Sequence, residues 1–311
     1  MATLQDIRDR ISSVKNIHKI TRAMEMVAAA RLRRAEERIE ELRPYADALR
    51  KMTRRASEAA ESLPDLPILK ERENVSSVGI LLVTGDRGLA GPFNSQIMRA
   101  GNQRKSEVER EESANVLWYA SGRRGVSSLE FRGEEVAGGF TGFTDRPQFA
   151  DARRIADAIT AAYIDEKVDR VEVIYNGYIS AVNQEVRRET LLPLQQADVL
   201  GDEEEDEEEN GGESGSSESE DDHSRSLWIY EPGPEEILER LVPDYVEISI
   251  YRALLESTAS EHGARMTAMR SASENAEEMI DDLTMQANRE RQAQITQEIM
   301  EVVSGAEATT G

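Results

Sequence analysis

Apolar residues recur every three or four positions along residues 3–59. The stripe comprises Leu4, Ile7, Ile11, Val14, Ile17, Ile20, Met24, Val27, Ala28, Leu32, Ala35, Ile39, Leu42, Ala46 and Leu49. A stripe this narrow predicts a long helix paired along a coiled-coil seam, rather than the broad apolar face of a globular helix. The extra interval of three between Val14 and Ile17 predicts a stammer, which locally overwinds a supercoil. Pro44, inside the pattern, predicts a bend.

The far end of the chain repeats this pattern. Its stripe comprises Ile248, Leu255, Ala259, His262, Met266, Met269, Ala276, Ile280, Leu283, Ala287, Ile295, Ile299 and Val302. At a rise of about 1.5 Å per residue each helix is on the order of 80 Å long, and neither buries enough apolar surface to be stable alone. We therefore expect the two to pair, and to pair antiparallel because the intervening chain joins the end of one to the start of the other.

The charges of the two ends favour the same pairing. Residues 1–60 hold 14 Lys and Arg against 9 Asp and Glu, a net charge of +5. Residues 248–304 hold 5 Arg against 10 acids, a net charge of −5. Opposite charge helps two helices to select each other and their orientation.

Strand and helix patterns alternate between these two ends. Short apolar runs predict strands at Val78–Val83, Asn115–Ala120, Val171–Tyr175 and Glu185–Leu192, and amphipathic stretches predict helices over residues 94–112 and 148–166. This alternation predicts an α/β domain with a mostly parallel sheet. The expected fold is thus a long antiparallel two-helix coiled coil, residues 1–60 and 247–311, with a Rossmann-like α/β domain inserted at 61–246.

An acidic tract interrupts the α/β domain at residues 201–226. It holds 13 acids and one Arg and has no apolar residue, so we expect a solvated, disordered surface insert. Trp228 resumes an ordered pattern, and Pro234 suits the first turn of the last helix.

Composition narrows the possible functions. The net charge of −23 argues against nonspecific nucleic-acid binding, and the absence of Cys excludes disulfides and thiolate metal sites. The chain has no run of eighteen apolar residues and no apolar leader at its start, so we expect neither a membrane span nor a signal peptide. Six Lys and 32 Arg against 61 acids suit a cytoplasm rich in salt, where charged surfaces stay hydrated.

No catalytic constellation stands out. The loop Thr84–Gly91 follows a strand and precedes a helix, where a phosphate could bind, but it lacks the Gly-Lys-Ser/Thr ending of a nucleotide loop. We interpret its glycines as serving a tight turn. His18 and His262 lie on different helices without a second metal ligand nearby, and His262 suits a register-fixing seam position; His223 lies in the acidic tract. We expect no catalytic, cofactor-binding or metal-binding residue.

Four segments carry a family resemblance. The beginning, ISSVKNIHKITRAMEMVAAA (residues 11–30), and the end, RQAQITQEIMEVVSGA (residues 291–306), closely resemble gamma subunits of F-type ATP synthases. The middle motif DRGLAG (residues 86–91) followed by Asn94 is similar to that family too, as is RPYA (residues 43–46). The acidic tract departs from the family pattern. Photosynthetic relatives carry a redox-switched Cys insert in this domain, which a chain without Cys cannot reproduce.

The resemblance implies a rotary central stalk. The paired helices would turn inside a ring of alpha and beta subunits, of which three are catalytic and three are noncatalytic. The α/β domain would join the epsilon subunit and the membrane ring of c subunits. Proton or sodium flow would drive the rotation, and the ATP chemistry would take place on the neighbours. The chain would lie peripherally at the cytoplasmic face of the inner membrane. Partner contacts are expected at Met24, Arg31, Arg33, Arg34, Arg291, Gln292, Thr296 and Glu298.

Two other functions remain open from the residues alone. A static coiled-coil adaptor would use the globular domain for docking, and a nucleotide-binding α/β enzyme would carry the helices as arms. Copurification of the chain with a multisubunit ATPase would favour the stalk over the adaptor. Micromolar binding of ATP or NAD by the isolated chain favours the enzyme.

Overall fold

The computed structural model describes residues 3–59, 66–72, 74–181, 183–194 and 233–310. The acidic tract at 201–226 and the pattern resuming at Trp228 lie outside the described residues. The chain divides into two compact units. The helix-pair unit comprises Met1–Arg31, Leu89–Gly91 and His262–Gly311, and the sheet unit comprises Leu32–Gly88 and Pro92–Glu261.

Two long helices contribute to both units. Helix α1 spans Leu4–Ala59, and it contains no glycine but many Ala, Arg, Glu and Leu residues, which favour helix. The last helix, α5, spans Pro234–Thr310, so Pro234 does occupy the first turn, where its missing N–H costs nothing. Pro44 lies inside α1 and Pro243 inside α5. Each removes one backbone hydrogen bond, yet both helices continue past these positions; the bend at Pro44 stays a prediction.

The sheet unit contains five strands and three further helices. The strands are β1 (Ser77–Val83), β2 (Asn115–Ser121), β3 (Val136–Phe140), β4 (Arg170–Tyr178) and β5 (Gln184–Leu192). The helices are α2 (Phe93–Glu107, continued by a π turn at Val108–Glu112), α3 (Arg123–Phe131) and α4 (Phe149–Ile164), and a short 3-10 turn lies at Pro67–Leu69. The strand order is β3-β2-β1-β4-β5, in which only β5 runs antiparallel to its neighbour.

The four predicted strands and two predicted helices are therefore confirmed, but one pair of elements was missed. Helix α3 and strand β3 fall between the second and third predicted strands. The sequence of β3, VAGGF, holds two glycines, which are poor strand formers. Gly138 serves packing instead, because a Cβ there would lie 2.8 Å from the ring of Tyr119.

Both faces of the sheet are covered. Leu81, Val173 and Tyr175 point to the face on which α4 and α5 pack, and α5 contributes Val242, Val246, Ile250 and Leu254 to that core. Helix α2 covers the other face, where its Gly101 allows close approach to Leu82 and Trp118. Burial on both faces explains why β1 reads as one continuous apolar run.

Candidate functional site

The seam of α1 follows a stricter pattern than its apolar residues do. Apart from flanking half-buried residues such as Met24, Arg31 and Glu36, the buried and half-buried positions are Ile7, Ile11, Val14, His18, Thr21, Glu25 and Ala28 in the helix-pair unit, then Leu32, Ala35, Ile39, Leu42, Ala46, Leu49, Thr53 and Ala56 in the sheet unit. They alternate by four and three without interruption, so the predicted stammer is wrong. Ile17 and Ile20, which the apolar pattern places in the seam, are 53% and 59% exposed, and Val27 is exposed as well. Polar side chains occupy the seam there instead.

The first turns of the seam form an apolar cluster within the helix-pair unit. Ile7 and Val14 of α1 pack with Ala276 and Leu283 of α5, and Ile11, Ile280 and Ala287 adjoin them. Further along α1, Glu25 contacts Arg270, which is earlier in α5. Contacts that advance along α1 while receding along α5 confirm the antiparallel pairing.

An ion-pair network occupies the middle of this seam. One carboxylate oxygen of Glu25 accepts a hydrogen bond from Nε of Arg270 at 3.0 Å, and the other accepts one from Arg22 at 2.9 Å. The hydrogen bond from Arg270 lowers the pKa of the buried Glu25 carboxyl, outweighing its desolvation, and the charge of Arg22 adds to the effect. The Thr21 hydroxyl donates a hydrogen bond to the carbonyl oxygen of His18 at 3.0 Å. Polar seam positions of this kind specify register.

A cleft of about 390 Å³ opens beside this network. It is lined by His18, Arg22, Arg270, Ser273, Glu274 and Glu277. Ser273 is buried, and its hydroxyl has no hydrogen-bond partner among the described residues. His262 is buried too, and its Nδ1 accepts a hydrogen bond from Arg265 at 3.3 Å. Neither histidine belongs to a cluster of three potential metal ligands within the part of the chain that the structure describes.

The end of α5 is exposed all round. Every residue from 291 to 300, the exposed segment, is solvent-accessible. The predicted seam through Ile295, Ile299 and Val302 is therefore wrong, since these side chains are 48%, 56% and 72% exposed. Within the helix-pair unit α5 is longer than α1 by 21 residues (49 against 28), roughly 30 Å of helix. Helix α1 begins at Leu4 and does not reach this part of α5.

The structure places four of the predicted contact residues together on this exposed segment. Arg291, Gln292, Thr296 and Glu298 all face solvent, and Thr296 donates a hydrogen bond to the carbonyl oxygen of Gln292 at 2.9 Å. Their side chains therefore offer a guanidinium, an amide and a carboxylate to a neighbouring chain, mixed with exposed Ile295 and Ile299.

The other four predicted residues lie along α1. Met24 and Arg31 are half-buried in the helix-pair unit. Arg33 and Arg34, in the sheet unit, are exposed, and Arg33 pairs with Glu37 at 3.4 Å. An exposed pair of this type contributes little stability, so Arg33 can exchange partners at low cost.

The carboxyl edge of the sheet is already occupied by the chain itself. In an open parallel sheet a nucleotide binds in the crevice where strand order reverses, here between β1 and β4. Ser257 of α5 donates a hydrogen bond to the carbonyl oxygen of Val83, the last residue of β1, at 3.3 Å. A Cβ at Gly85 would lie 2.8 Å from the carboxylate of Glu261. Helix α5 therefore covers the carboxyl end of β1.

An internal carboxylate, Asp86, collects backbone N–H groups in the loop after β1. Asp86 accepts hydrogen bonds from the backbone N–H groups of Arg123, Gly142 and Thr144 at 3.0, 2.9 and 3.2 Å, and from the Thr144 hydroxyl at 3.1 Å. Burial alone would raise the pKa of Asp86, but these hydrogen bonds lower it. Asn94 closes the loop by accepting from the N–H of Gly85 at 2.9 Å. Asp86 therefore joins the loop after β1 to the start of α3 and to the loop after β3. We call this hydrogen-bonded arrangement the staple.

Sequence reasoning missed the seam position of Glu25, the role of Asp86 and the burial of every residue from 253 to 261. The strict interval of four and three would have placed Glu25 in the seam, but its charge concealed it. Nothing local indicates the partners of Asp86, which lie 37 to 58 residues away. None of the described helices has an apolar stretch long enough to cross a membrane.

Sequence comparisons give a consistent result along the whole chain. A family profile described as ATP synthase matches residues 3–309. An ATP synthase gamma chain from Rubrobacter xylanophilus is 41% identical over 308 residues, which is 99% of both chains. One from Nostoc punctiforme is 42% identical over 321 aligned positions, with full coverage of both. One from Halothermothrix orenii is 39% identical with 99% coverage of both.

Solved structures share the fold. A chain from the Euglena gracilis mitochondrial ATP synthase, described as OSCP/F1/c-ring in rotational state 3, aligns with a TM-score of 0.64 at 16% identity, covering 98% of this chain and 94% of that one. A chain from the central stalk and c-ring of the Tetrahymena thermophila mitochondrial enzyme aligns with a TM-score of 0.58 at 24% identity, covering 82% and 99%.

Proposed function

Since the chain belongs to the family of ATP synthase gamma chains, the noncatalytic central-stalk subunits of a rotary enzyme, we propose which of its surfaces perform the coupling. The observation that carries this proposal is the exposed segment, residues 291–300, which none of the described residues of the chain covers. Ile295, Ile299 and Met300 are exposed on this helix end, and grouped exposed apolar side chains mark a surface that another chain covers. A surrounding sleeve of other subunits would remove that cost.

In this proposal the sleeve is formed by the alpha and beta subunits. Arg291, Gln292, Thr296 and Glu298 would meet them from α5, and Met24, Arg31, Arg33 and Arg34 from α1. These contacts must break at every rotational step. Hydrogen bonds worth about 0.5–3 kcal/mol each suit that requirement, because they orient the stalk without arresting it.

The asymmetry of the helix pair supports a rotary action. Within the helix-pair unit α5 is 21 residues longer than α1 (49 against 28), and Ile17 and Ile20 are exposed on α1. A turning helix pair would therefore present different side chains to each catalytic subunit in succession. The catalytic residues belong to those partners, and this chain would impose the order in which they act.

The sheet unit would contact the other partners. We assign to it the epsilon subunit and the c-subunit ring, because relatives with this fold are described with a central stalk and c-ring. The chain would then lie peripherally at the cytoplasmic face of the inner membrane, with a proton or sodium gradient as the driving force. We also retain the division into 1–60, 61–246 and 247–311 as the functional partition.

The charge balance supports a salt-adapted bacterial host. The chain carries −23 overall with six Lys, and such a surface is favoured where salt screens its self-repulsion. Activity of the purified enzyme across salt concentrations tests this assignment: an optimum near molar salt is expected, and an optimum at low salt would argue against it.

Copurification and reconstitution test the function itself. A tagged chain should bring down a multisubunit ATPase containing one copy of this chain. Liposomes carrying that complex should take up ions when ATP is added. Recovery of the chain alone, or with partners that lack ATPase activity, would favour a static adaptor.

A further inference from the structure

One stretch of α5 differs from the rest of the helix in its burial. From Leu238 to Ile250 buried residues alternate with exposed or half-buried ones, whereas every residue from 253 to 261 is buried. We call residues 253–261 the enclosed segment. Successive residues of a helix point about 100° apart, so nine consecutive buried side chains cover its whole circumference. The sheet unit surrounds the helix here.

Three consecutive residues hold the enclosed segment from three directions. Glu256 pairs with Arg187 of β5 at 3.3 Å. The Ser257 hydroxyl donates to the carbonyl oxygen of Val83 in β1 at 3.3 Å. The Thr258 hydroxyl lies 3.0 Å from the carbonyl oxygen of Thr144 in the loop after β3, and shares its proton with the carbonyl of Leu254 in its own helix at 2.7 Å.

A fourth contact reinforces the first direction. Arg252, one turn before Glu256, donates to one oxygen of Glu189 at 2.6 Å, while the Tyr175 hydroxyl donates to the other oxygen at 2.6 Å. Charge-assisted hydrogen bonds of this length are the stronger kind. Strands β4 and β5 are therefore both tied to α5.

These contacts have the geometry needed to resist twisting. Apolar contacts favour burial but have little directional preference, so an apolar socket alone would allow a helix to turn or slide. Hydrogen bonds and ion pairs weaken steeply when their angles change. With partners spaced around the circumference, any rotation of α5 about its own axis breaks several of them together.

We propose that the enclosed segment is a torque clamp, the place where the sheet unit grips α5 so that a turning force on the unit enters the helix. The inference rests on the proposed rotary function and adds to it the residues that transmit force. Arg187, Arg252, Glu256, Ser257 and Thr258 are then positioning residues. Helix α5 continues without a break from Pro234 to Thr310, so force that enters at the clamp is carried along the helix.

The test uses the complete reconstituted enzyme in vesicles. The double variant Arg187→Gln with Glu256→Gln removes one ion pair without leaving a charge unpaired. ATP hydrolysis and ATP-driven ion uptake are measured on the same vesicles, with dyes for both protons and sodium. We expect hydrolysis to persist and the ratio of uptake to hydrolysis to fall roughly twofold or more, and further against an opposing gradient, because the clamp yields under load.

A matched control lies on the same helix outside the clamp. Arg153 of α4 pairs with Glu247 of α5 at 3.0 Å, and the double variant Arg153→Gln with Glu247→Gln should keep the wild-type ratio. Equal ratios in the clamp variant and this control would overturn the proposal. Wild-type vesicles that fail to pump would instead overturn the rotary function.

A milder substitution covers the case in which the double variant does not assemble. Thr258→Val keeps the shape of the side chain and removes its hydroxyl. A smaller fall in the same ratio is expected, and a ratio equal to wild type would count against the clamp.

Cross-linking supplies an independent readout. The chain has no cysteine, so Thr144→Cys with Thr258→Cys introduces a unique pair that can be joined by oxidation or a short thiol-reactive linker. If the segment is clamped during turnover, joining the pair leaves hydrolysis and pumping unchanged. Inhibition that is relieved by reduction would show that the helix moves against the sheet, contrary to the proposal.

Discussion

The enclosed segment and the exposed segment are parts of one helix in opposite environments. Residues 253–261 are buried on every side and residues 291–300 are exposed on every side. Their sequences do not differ in the obvious way, because the enclosed segment holds Glu256, Ser257, Thr258 and Glu261, whereas the exposed one holds Ile295, Ile299 and Met300. Each therefore contradicts the simple rule that apolar residues lie inside.

The contrast has a physical explanation in the partners. Polar groups can be buried where hydrogen bonds or ion pairs satisfy most of them. The sheet unit supplies Arg187 to Glu256 and the backbone carbonyls of Val83 and Thr144 to Ser257 and Thr258, whereas the buried Ser260 hydroxyl has no hydrogen-bond partner among the described residues. Apolar groups remain at the surface when another chain is to cover them. The first segment is thus covered by the sheet unit of its own chain, and we propose that other subunits cover the second.

The largest expected effect on stability comes from shortening a buried apolar side chain of the enclosed segment. Leu254→Ala deletes a buried core side chain and should lower the free energy of unfolding by about 2–5 kcal/mol. Ile299→Ala, at the exposed segment, should change it by less than about 0.5 kcal/mol. Urea unfolding of the purified chain measures both. Similar losses at the two positions would show that the exposed segment is packed after all.

The staple at Asp86 should give the next largest effect. Asp86→Asn removes charge-assisted acceptance from three backbone N–H groups, and we expect a loss of about 1–2 kcal/mol at neutral pH, after allowance for partial solvent screening. The folded pKa of Asp86 is lowered, so its contribution is complete above the ordinary carboxyl range, about pH 4, and disappears as pH falls below it.

Unfolding measured from pH 7 down to pH 3 checks this sign. Wild type should lose its advantage over Asp86→Asn on acidification, so that the two stability curves converge. A difference between them that is independent of pH would mean that the Asp86 carboxylate does not act as the staple.

A charge introduced on α1 should separate coupling from folding. Met24 is half-buried, two residues from Arg22. Met24→Lys adds a cation beside that arginine, near the surface proposed to face the catalytic subunits. Coupling of hydrolysis to ion uptake should fall while unfolding changes by less than about 1 kcal/mol. Reconstituted Met24→Lys enzyme that couples as well as wild type would remove Met24 from the contact surface.

The smallest expected effect concerns the apolar residues outside the seam. Ile20→Ser alters a side chain that is exposed in the isolated chain, so its free energy of unfolding should stay within about 0.5 kcal/mol of wild type. Val14→Ser, in the apolar cluster, is the matched contrast and should destabilise clearly. An equal cost at both positions would restore the stammer that the apolar pattern indicated.

These pairs of positions show how far sequence could predict the fold. The two long helices at the chain ends, four of the strands and the antiparallel pairing could be predicted from periodicity and connectivity. Burial imposes a period of two residues on strands and of about 3.6 residues on helices. Strand β3 did not follow, because glycine is a poor strand former and Gly138 is needed there for its close approach to Tyr119. The spacing of buried positions along α1 alternates by four and three throughout. Buried polar residues, Glu25 on α1 and Ser273 on α5, hide this spacing from a pattern built on apolar residues alone.

The candidate site was harder to predict for a related reason. Ile295 and Ile299 continue the seam spacing, and no single-chain pattern distinguishes an apolar residue that a neighbouring helix covers from one that another subunit covers. The clamp could not be predicted from the sequence, because its partner residues, such as Arg187 and Glu189, lie more than sixty residues before it in the chain. Long-range pairing of polar groups leaves no local period in the sequence.

Hydrogen exchange along α5 tests the central claim most directly. Backbone amides of residues 253–261 and 291–300 are compared in the purified chain and in the assembled enzyme. The account predicts strong protection of the enclosed segment in both, and of the exposed segment only in the assembled enzyme. Equal protection of residues 291–300 in the two samples would contradict it, because no other subunit would then cover that part of the helix.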